Sequence, residues 1–302
     1  MSGHFDDPSV YDPALAECPL CRRGDIAPLY VIERYSRHFK LDRCNDCGFI
    51  FMNPRFTPRI LSDLYGEDYY RGSAEYSYYD ERSAERFSRY VWDARMRIIR
   101  KYASGGNLLD IGAAFGGLMK ASEPYFTAHG IEPSPYAAAH ARELFGRRLH
   151  EGTLDDNHFP DGYFSCITMI EVLEHIADPV KALRECFRLL EAGGLLVVQT
   201  ANMDGLQARR LGERYAYLMP GHLSYFTRKN LTESLLRAGF LHVKAFHPVE
   251  FGLRAKLLKS RMDFTSPLDY RRWLRIASYH YLSKIRWKNF AMTSSMVLYA
   301  FK

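Results

Sequence analysis

Glu171, Glu174 and His175 stand at i, i+3 and i+4 in the string EVLEHIADP. On a helical turn that spacing puts three titratable groups on one face. Two kinds of chemistry suit such a trio. His175, with an unperturbed pKa of about 6.5, can act as a general base near neutrality. Alternatively, the two carboxylates and the imidazole, joined by His222 from the later string GHLSYFT, would bind a second divalent ion and lower the pKa of a bound hydroxyl. A third reading leaves the turn structural, with hydrogen bonds that shape a neighbouring pocket.

Four of the six cysteines form two Cys-x-x-Cys knuckles, Cys18–Cys21 and Cys44–Cys47, separated by 22 residues. Each knuckle sets two thiolates on one side of a tight turn. Two such turns at the tips of adjacent hairpins make a tetrahedral four-sulfur site, the pattern of a zinc ribbon with a structural zinc. A redox dithiol needs one knuckle in a thioredoxin-like context, and paired disulfides suit a secreted chain; neither setting is present. Cys166 and Cys186 fall in apolar stretches and read as core.

The elements around these groups can be read from the apolar pattern. Leu108 to Ile111 is a buried parallel strand carrying Asp110 near its end. Gly112, Gly116 and Gly117 break it into a loop that opens a helix. A second short strand ends at Glu132, about 20 residues after the loop, placed to accept hydrogen bonds from two ribose hydroxyls. Tyr163 to Ile170 is a further buried strand that delivers Glu171. An amphipathic helix over 180–190, an Ala192-Gly193-Gly194 stop and a strand over 195–200 follow. The expected site is the crevice at the carboxyl ends of these strands.

A dinucleotide enzyme would carry G-x-G-x-x-G here. Instead the loop, with Gly112 and Gly116 four apart, resembles the D-x-G-x-G-x-G loop of class I S-adenosylmethionine (SAM) methyltransferases, with Ala114 in the middle glycine slot. EVLEHIADP and LRECFRLLEAGGLLVVQT resemble the fourth-strand region of methyltransferases of the ubiquinone-biosynthesis O-methyltransferase group. The likeness runs on through GHLSYFT to Ala238-Gly239-Phe240 and covers about half of the chain. It implies SAM as cofactor: Asp110, Gly112, Ala114 and Gly116 around its methionine end, Glu132 on its ribose, Leu154 and Asp155 at its adenine edge, and Glu171 beside methionine and acceptor. The Glu-x-x-Glu-His string with a later His is also similar to the small-RNA 3′-end methyltransferases, and some ubiquinone O-methyltransferases are metal-linked through this motif.

The string RCNDCGFIFMNPRFTPRILSDLYGEDYY resembles leaders on bacterial methyltransferases of sugar and surface-polysaccharide pathways. The resemblance thus implies methyl transfer to a small polar acceptor, a sugar or glycoconjugate precursor. The alternatives are a phenolic or quinone precursor at a membrane surface, and an RNA methyltransferase or RNA-binding zinc-ribbon protein. Nucleic acid is the less favoured partner.

Composition is an ordinary soluble balance, and the length allows one large domain plus a small one: 302 residues, 47% hydrophobic, 25% charged, net charge +6. The polar, acidic start over residues 1–12 lacks a signal peptide, and no uncharged apolar run nears the ~20 residues of a bilayer span. A cytoplasmic location is expected, with peripheral contact at the inner membrane face as an extension. That extension rests on residues 251–290, where ten Lys and Arg face only Asp263 and Asp269 among interleaved aromatics. Such a stretch suits an anionic membrane, a lipid-linked substrate or a solvated helical cap.

The expected fold is α/β, a Rossmann-like seven-stranded SAM methyltransferase sheet with a small N-terminal zinc ribbon. The divisions are a ribbon over 1–55, an aromatic helical leader or lid over 56–104, the SAM-binding core over 105–248, the basic insertion over 249–290 and a final antiparallel strand within 291–302. The leader's aromatic run (Tyr65, Tyr69, Tyr70, Tyr76, Tyr78, Tyr79, Phe87, Tyr90 and Trp92) either packs the leader against the core or covers the substrate.

Overall fold

The computed structural model describes residues 5–76, 82, 85–246, 253, 266–282 and 293–302. Its larger sheet has seven strands. In spatial order these are β6 (Leu149–Glu151), β5 (Thr127–Glu132), β4 (Asn107–Ile111), β7 (Phe164–Ile170), β8 (Leu190–Ala201), β11 (Ser295–Phe301) and β10 (His242–Phe246). The strands from β6 to β8 are parallel, and β11 runs antiparallel to both β8 and β10. From β4 the chain moves outward to β5 and β6, then returns to lay β7 on the other side of β4. The order therefore reverses between β4 and β7, the place where open α/β sheets bind ligands at the strands' carboxyl ends. Six of the seven β7 residues are buried, as parallel strands covered on both faces require.

The covering helices start where local chemistry allows. α6 (Pro179–Leu189) has Pro179 at its first position and Asp178 as its cap, whose side chain accepts from the Lys181 backbone N–H at 3.0 Å. Ala182, Leu183, Cys186 and Leu189 make its buried face. α8 (Arg228–Ala238) opens on a reciprocal Thr227–Asn230 capping box and stops at Gly239 in the left-handed conformation. α5 (Pro135–Phe145) starts with Pro135 after Ser134, and α4 (Gly117–Ser122) follows the glycine loop. β8 begins earlier than the apolar pattern suggests. It runs through Gly193 and Gly194, with a register shift against β7, so the Ala-Gly-Gly segment is an irregularity within the strand.

The leader holds α1 (Pro58–Leu64), α2 (Glu67–Arg71) and α3 (Glu85–Ile99). Two more helices, α7 (Leu206–Leu211) and α9 (Pro267–Leu282), complete the described helices. Tyr78 and Tyr79 lie outside the described residues. So do Arg254, Lys256, Lys259, Arg261, Asp263, Lys284, Arg286 and Lys288 of the basic stretch. Among the described residues, no helix is long and apolar enough to cross a membrane.

The smaller sheet joins the ribbon to the core. β1 (Ile26–Ile32), β2 (Phe39–Cys44) and β3 (Ile50–Met52) form an antiparallel meander, and its fourth strand is β9 (Ser224–Tyr225), from the GHLSYFT string. The ring of Phe49 packs on Phe226 at 5.1 Å. Cys18, Cys44, Phe49 and Phe51 share one buried cluster with Leu109, Ile111, Met169 and Phe226. Ribbon and methyltransferase-like sheet therefore share a core, and the residues after His222 belong to both.

Candidate active site

Asp110, Glu132 and Glu171 come together from the ends of β4, β5 and β7 at the point where strand order reverses. Asp110 is buried, and its Oδ1 accepts from the Thr168 hydroxyl at 2.7 Å. Glu132 is 2% exposed. Its Oε2 accepts from the Ala114 backbone N–H at 2.8 Å. Its Oε1 accepts from the Ser134 N–H at 2.8 Å and from the Tyr70 hydroxyl at 3.1 Å. Burial pushes the Glu132 carboxyl above its ordinary range, and these three donors pull it partly back.

The loop takes the shape its glycines permit: Gly112, Ala114 and Gly116 all have positive φ, 75°, 47° and 83°. Ala114 thus keeps the left-handed conformation of the glycine slot it fills, at a steric cost of about 1 kcal/mol, and turns its N–H onto Glu132. Leu154 is buried in a short 3₁₀ turn, Leu154–Asp156, while Asp155 pairs with Lys181 Nζ at 2.8 Å in solvent.

At the end of β7, one expectation is corrected. Glu171, Glu174 and His175 do not share a helical face. Glu171 has φ 57° and only Leu173–His175 forms a 3₁₀ turn. Backbone and side chain of Glu171 are both tied to β8: its N–H donates to the Gln199 carbonyl at 2.9 Å, and its Oε1 accepts from Gln199 Nε2 at 2.6 Å. Gln199 in turn accepts from Arg95 Nη2 at 2.6 Å. The group that does assemble is Glu174, His175 and His222, whose ligating atoms lie within 4.8 Å of one another. The Leu223 N–H donates to the Glu174 carbonyl at 2.8 Å, which brings His222 alongside.

Burial sets the electrostatics of this trio. Glu174 is fully buried, and neither carboxylate oxygen has a donor in bonding geometry among the described residues. Burial, reinforced by the charge of Glu171, pushes its carboxyl well above the usual range. His222 is buried with Nδ1 unpartnered, and burial holds its pKa well down. His175 Nδ1 lies 2.7 Å from the Tyr65 hydroxyl and 3.1 Å from the Gly221 carbonyl oxygen. A carbonyl only accepts, so that contact calls for a proton on Nδ1, and the ring also bonds the Glu171 backbone carbonyl. Burial lowers the His175 pKa to about 4. At neutral pH the ring is uncharged and a weak base.

Tyr65, Tyr69 and Tyr70 of the leader's aromatic run lie against the site, beside His175 and Glu132. Tyr65 packs edge-on against His175 at 5.1 Å. Its approach needs a glycine at 221, where φ is 88° and a Cβ would lie 2.1 Å from the Tyr65 hydroxyl. Tyr69 stands among three of the acids. Burial raises its pKa to about 12, and Glu174, Glu132 and Glu171 push the same way. What the sequence reading did not pair is Tyr65 with His175 and Tyr70 with Glu132. Gln199 had a signal in the sequence, as a polar residue in the apolar run LLVVQT.

At the ribbon, Cys18 Sγ lies 3.7 Å from Cys47 Sγ, and Cys21 Sγ 3.6 Å from Cys44 Sγ. Zn–S bonds of about 2.3 Å in a tetrahedron put sulfurs about 3.8 Å apart, so the four thiols fit zinc. The first knuckle lies ahead of β1, and the second turns between β2 and β3. Burial pushes the Cys18 thiol up to about 11; a bound cation would supply the charge that holds it as thiolate.

A family model described as a methyltransferase domain matches residues 81–245. The ubiquinone biosynthesis O-methyltransferase of Caulobacter vibrioides is 35% identical over 187 residues, 55% of this chain and 69% of that protein. The protein of the same name from Caulobacter sp. strain K31 is 34% identical over 131 residues, 39% of this chain and 51% of that one. The chain spans about half or less of the length of several curated relatives it matches. Among solved structures, a SAM-dependent methyltransferase from Archaeoglobus fulgidus shares the fold, with a TM-score of 0.51 and 20% identity over 74% of this chain and all of that one.

Proposed function

The chain belongs to the SAM-dependent methyltransferase family, and from that premise we propose that it transfers a methyl group from SAM to a small polar acceptor, a sugar or glycoconjugate precursor. The observation that carries this reading is that the buried Glu132 carboxylate at the end of β5 and Glu174 of the Glu174–His175–His222 cluster both act on Tyr69. SAM, when bound, supplies a methyl already activated on a sulfonium. Asp110, Gly112, Ala114 and Gly116 would hold its methionine end, Glu132 its ribose, and Leu154 and Asp155 its adenine edge. Glu171, braced by Gln199, would stand between methionine and acceptor. Positioning then supplies much of the rate, since an in-line displacement needs the acceptor atom aligned with the methyl.

Two metals complete the proposal. Cys18, Cys21, Cys44 and Cys47 would hold a structural zinc. Glu174, His175 and His222 would hold a second divalent ion, which would make an acceptor hydroxyl more acidic. The unpartnered, sealed atoms of Glu174 and His222 support that site. With its pKa near 4, His175 suits a ligand's role better than that of a lone general base.

A phenolic or quinone acceptor is the second reading. It is supported by the name of the two Caulobacter relatives and by the rings of Tyr65 and Tyr69 over the acceptor side. Peripheral membrane contact would go with it, through the exposed Tyr270, Leu274 and Tyr281 of α9 beside Arg271 and Arg275. The test is a methyl-transfer assay with labelled SAM against nucleotide sugars, catechols and RNA. Transfer to sugars is the expected result, and transfer to catechols alone would move the second reading to the front. RNA methylation would overturn both, and failure to bind SAM would remove the activity itself.

A further inference from the structure

The Glu132 carboxylate has little room for a new ligand. A carboxylate offers about four lone-pair sites. Three are taken, by the Ala114 N–H, the Ser134 N–H and the Tyr70 hydroxyl. A ribose that binds through both hydroxyls needs two, so one bond must break. The two backbone donors are built into the glycine loop and the start of α5. The Tyr70 hydroxyl belongs to α2, five residues long and bounded by Gly66 and by Gly72, which has φ 80° and open space around its Cβ position. It is the donor that can leave.

On the reading that Glu132 holds the ribose, we infer that Tyr70 is a latch on the cofactor site. Its hydroxyl occupies the place of a ribose hydroxyl, and SAM displaces it and α2 with it. The ring reinforces the closure. Tyr70 is buried, packs edge-on against Phe115 of the glycine loop at 5.4 Å and lies 6.2 Å from Tyr136 of α5. With Glu132 itself sealed from solvent, a nucleoside cannot reach it while α2 stays in place. The displacement has a consequence for the acceptor. Tyr69 rides on the same short helix among Glu171 and Glu174, so the helix that SAM displaces also roofs the acceptor side. Cofactor should therefore bind first and acceptor second.

The test uses the full chain and SAM itself. Tyr70→Phe keeps the ring and removes the competing hydroxyl. Calorimetry should show SAM binding tighter by about ten-fold, the equivalent of a hydrogen bond to a charged group. Unchanged or weaker binding would overturn the latch. In the wild-type protein, SAM should speed hydrogen exchange of the backbone amides over residues 67–72; slowed or unaltered exchange would overturn it as well, independently of the variant. Glu132→Gln separates the two layers. Wild-type affinity in that variant would dismiss Glu132 as the ribose acid, whereas weakened affinity with an unaltered Tyr70→Phe would dismiss the latch alone.

Discussion

Replacing Glu174 by glutamine removes one negative charge and keeps the shape of the side chain. In the structure that charge has no donor within bonding geometry, is fully buried and faces the charge of Glu171. A carboxylate left so would cost several kcal/mol. Either a proton or a cation must relieve it, and the two cases answer differently to metal. A cation at 100 times its Kd stabilises the folded state by about 2.7 kcal/mol. With an unfolding entropy of about 2.1 cal/mol/K per residue over 302 residues, that raises the melting temperature by about 4 °C. Glu174→Gln would leave two neutral imidazoles and an amide. If affinity falls by about 100-fold, the same Mn²⁺ concentration stabilises by only about 0.4 kcal/mol, a shift below about 1 °C. The assay is thermal unfolding of zinc-loaded protein with and without Mn²⁺, beside a direct Mn²⁺ titration by electron paramagnetic resonance. Without Mn²⁺ the variant should be at least as stable as the wild type, because a buried acid has gone. A wild-type protein indifferent to Mn²⁺, or a variant that shifts as far as the wild type, would refute the cation site.

Cys44→Ser removes a fully buried thiol 3.6 Å from Cys21 and should yield protein with well under one zinc per chain and a lower melting temperature; full zinc content by metal analysis would refute the ribbon. Burial lifts the Glu132 carboxyl above 4.5, so the free protein's share of stability from this group is greatest below that pH and is lost as pH rises through the raised value. Ribose binding needs the ionised form, so SAM affinity should climb over the same window; calorimetry giving a flat affinity from pH 4.5 upward would refute the assignment.

Much of the donor side was legible in the chain because it is local. Strand, glycine turn, helix and strand follow one another from Asn107 to Glu132, and the acids fall at strand ends wherever apolar runs stop. The cysteine knuckles were legible for the same reason: two residues of spacing determine that two thiols share a turn. The final strand also lies where the apolar string from Val297 to Phe301 put it, antiparallel against β8.

The acceptor side was decided elsewhere. Periodicity placed Glu171 with Glu174 and His175, but a left-handed φ turns it away, and the partner that holds it there, Gln199, is 28 residues on. His222 meets Glu174 through the Leu223 N–H bond to the Glu174 carbonyl, next to β9, which pairs with β3 of the ribbon about 170 residues earlier in the chain. Tyr70 reaches Glu132 across 62 residues. The sequence by itself determined the glycine loop, the acids at the strand ends and the cysteine knuckles, since these follow from backbone preferences and neighbouring spacing. Only the tertiary structure decided which acid joins the histidines and which tyrosine bonds Glu132. Those choices depend on strand pairing and on hydrogen bonds between distant segments, whose partners no local pattern specifies.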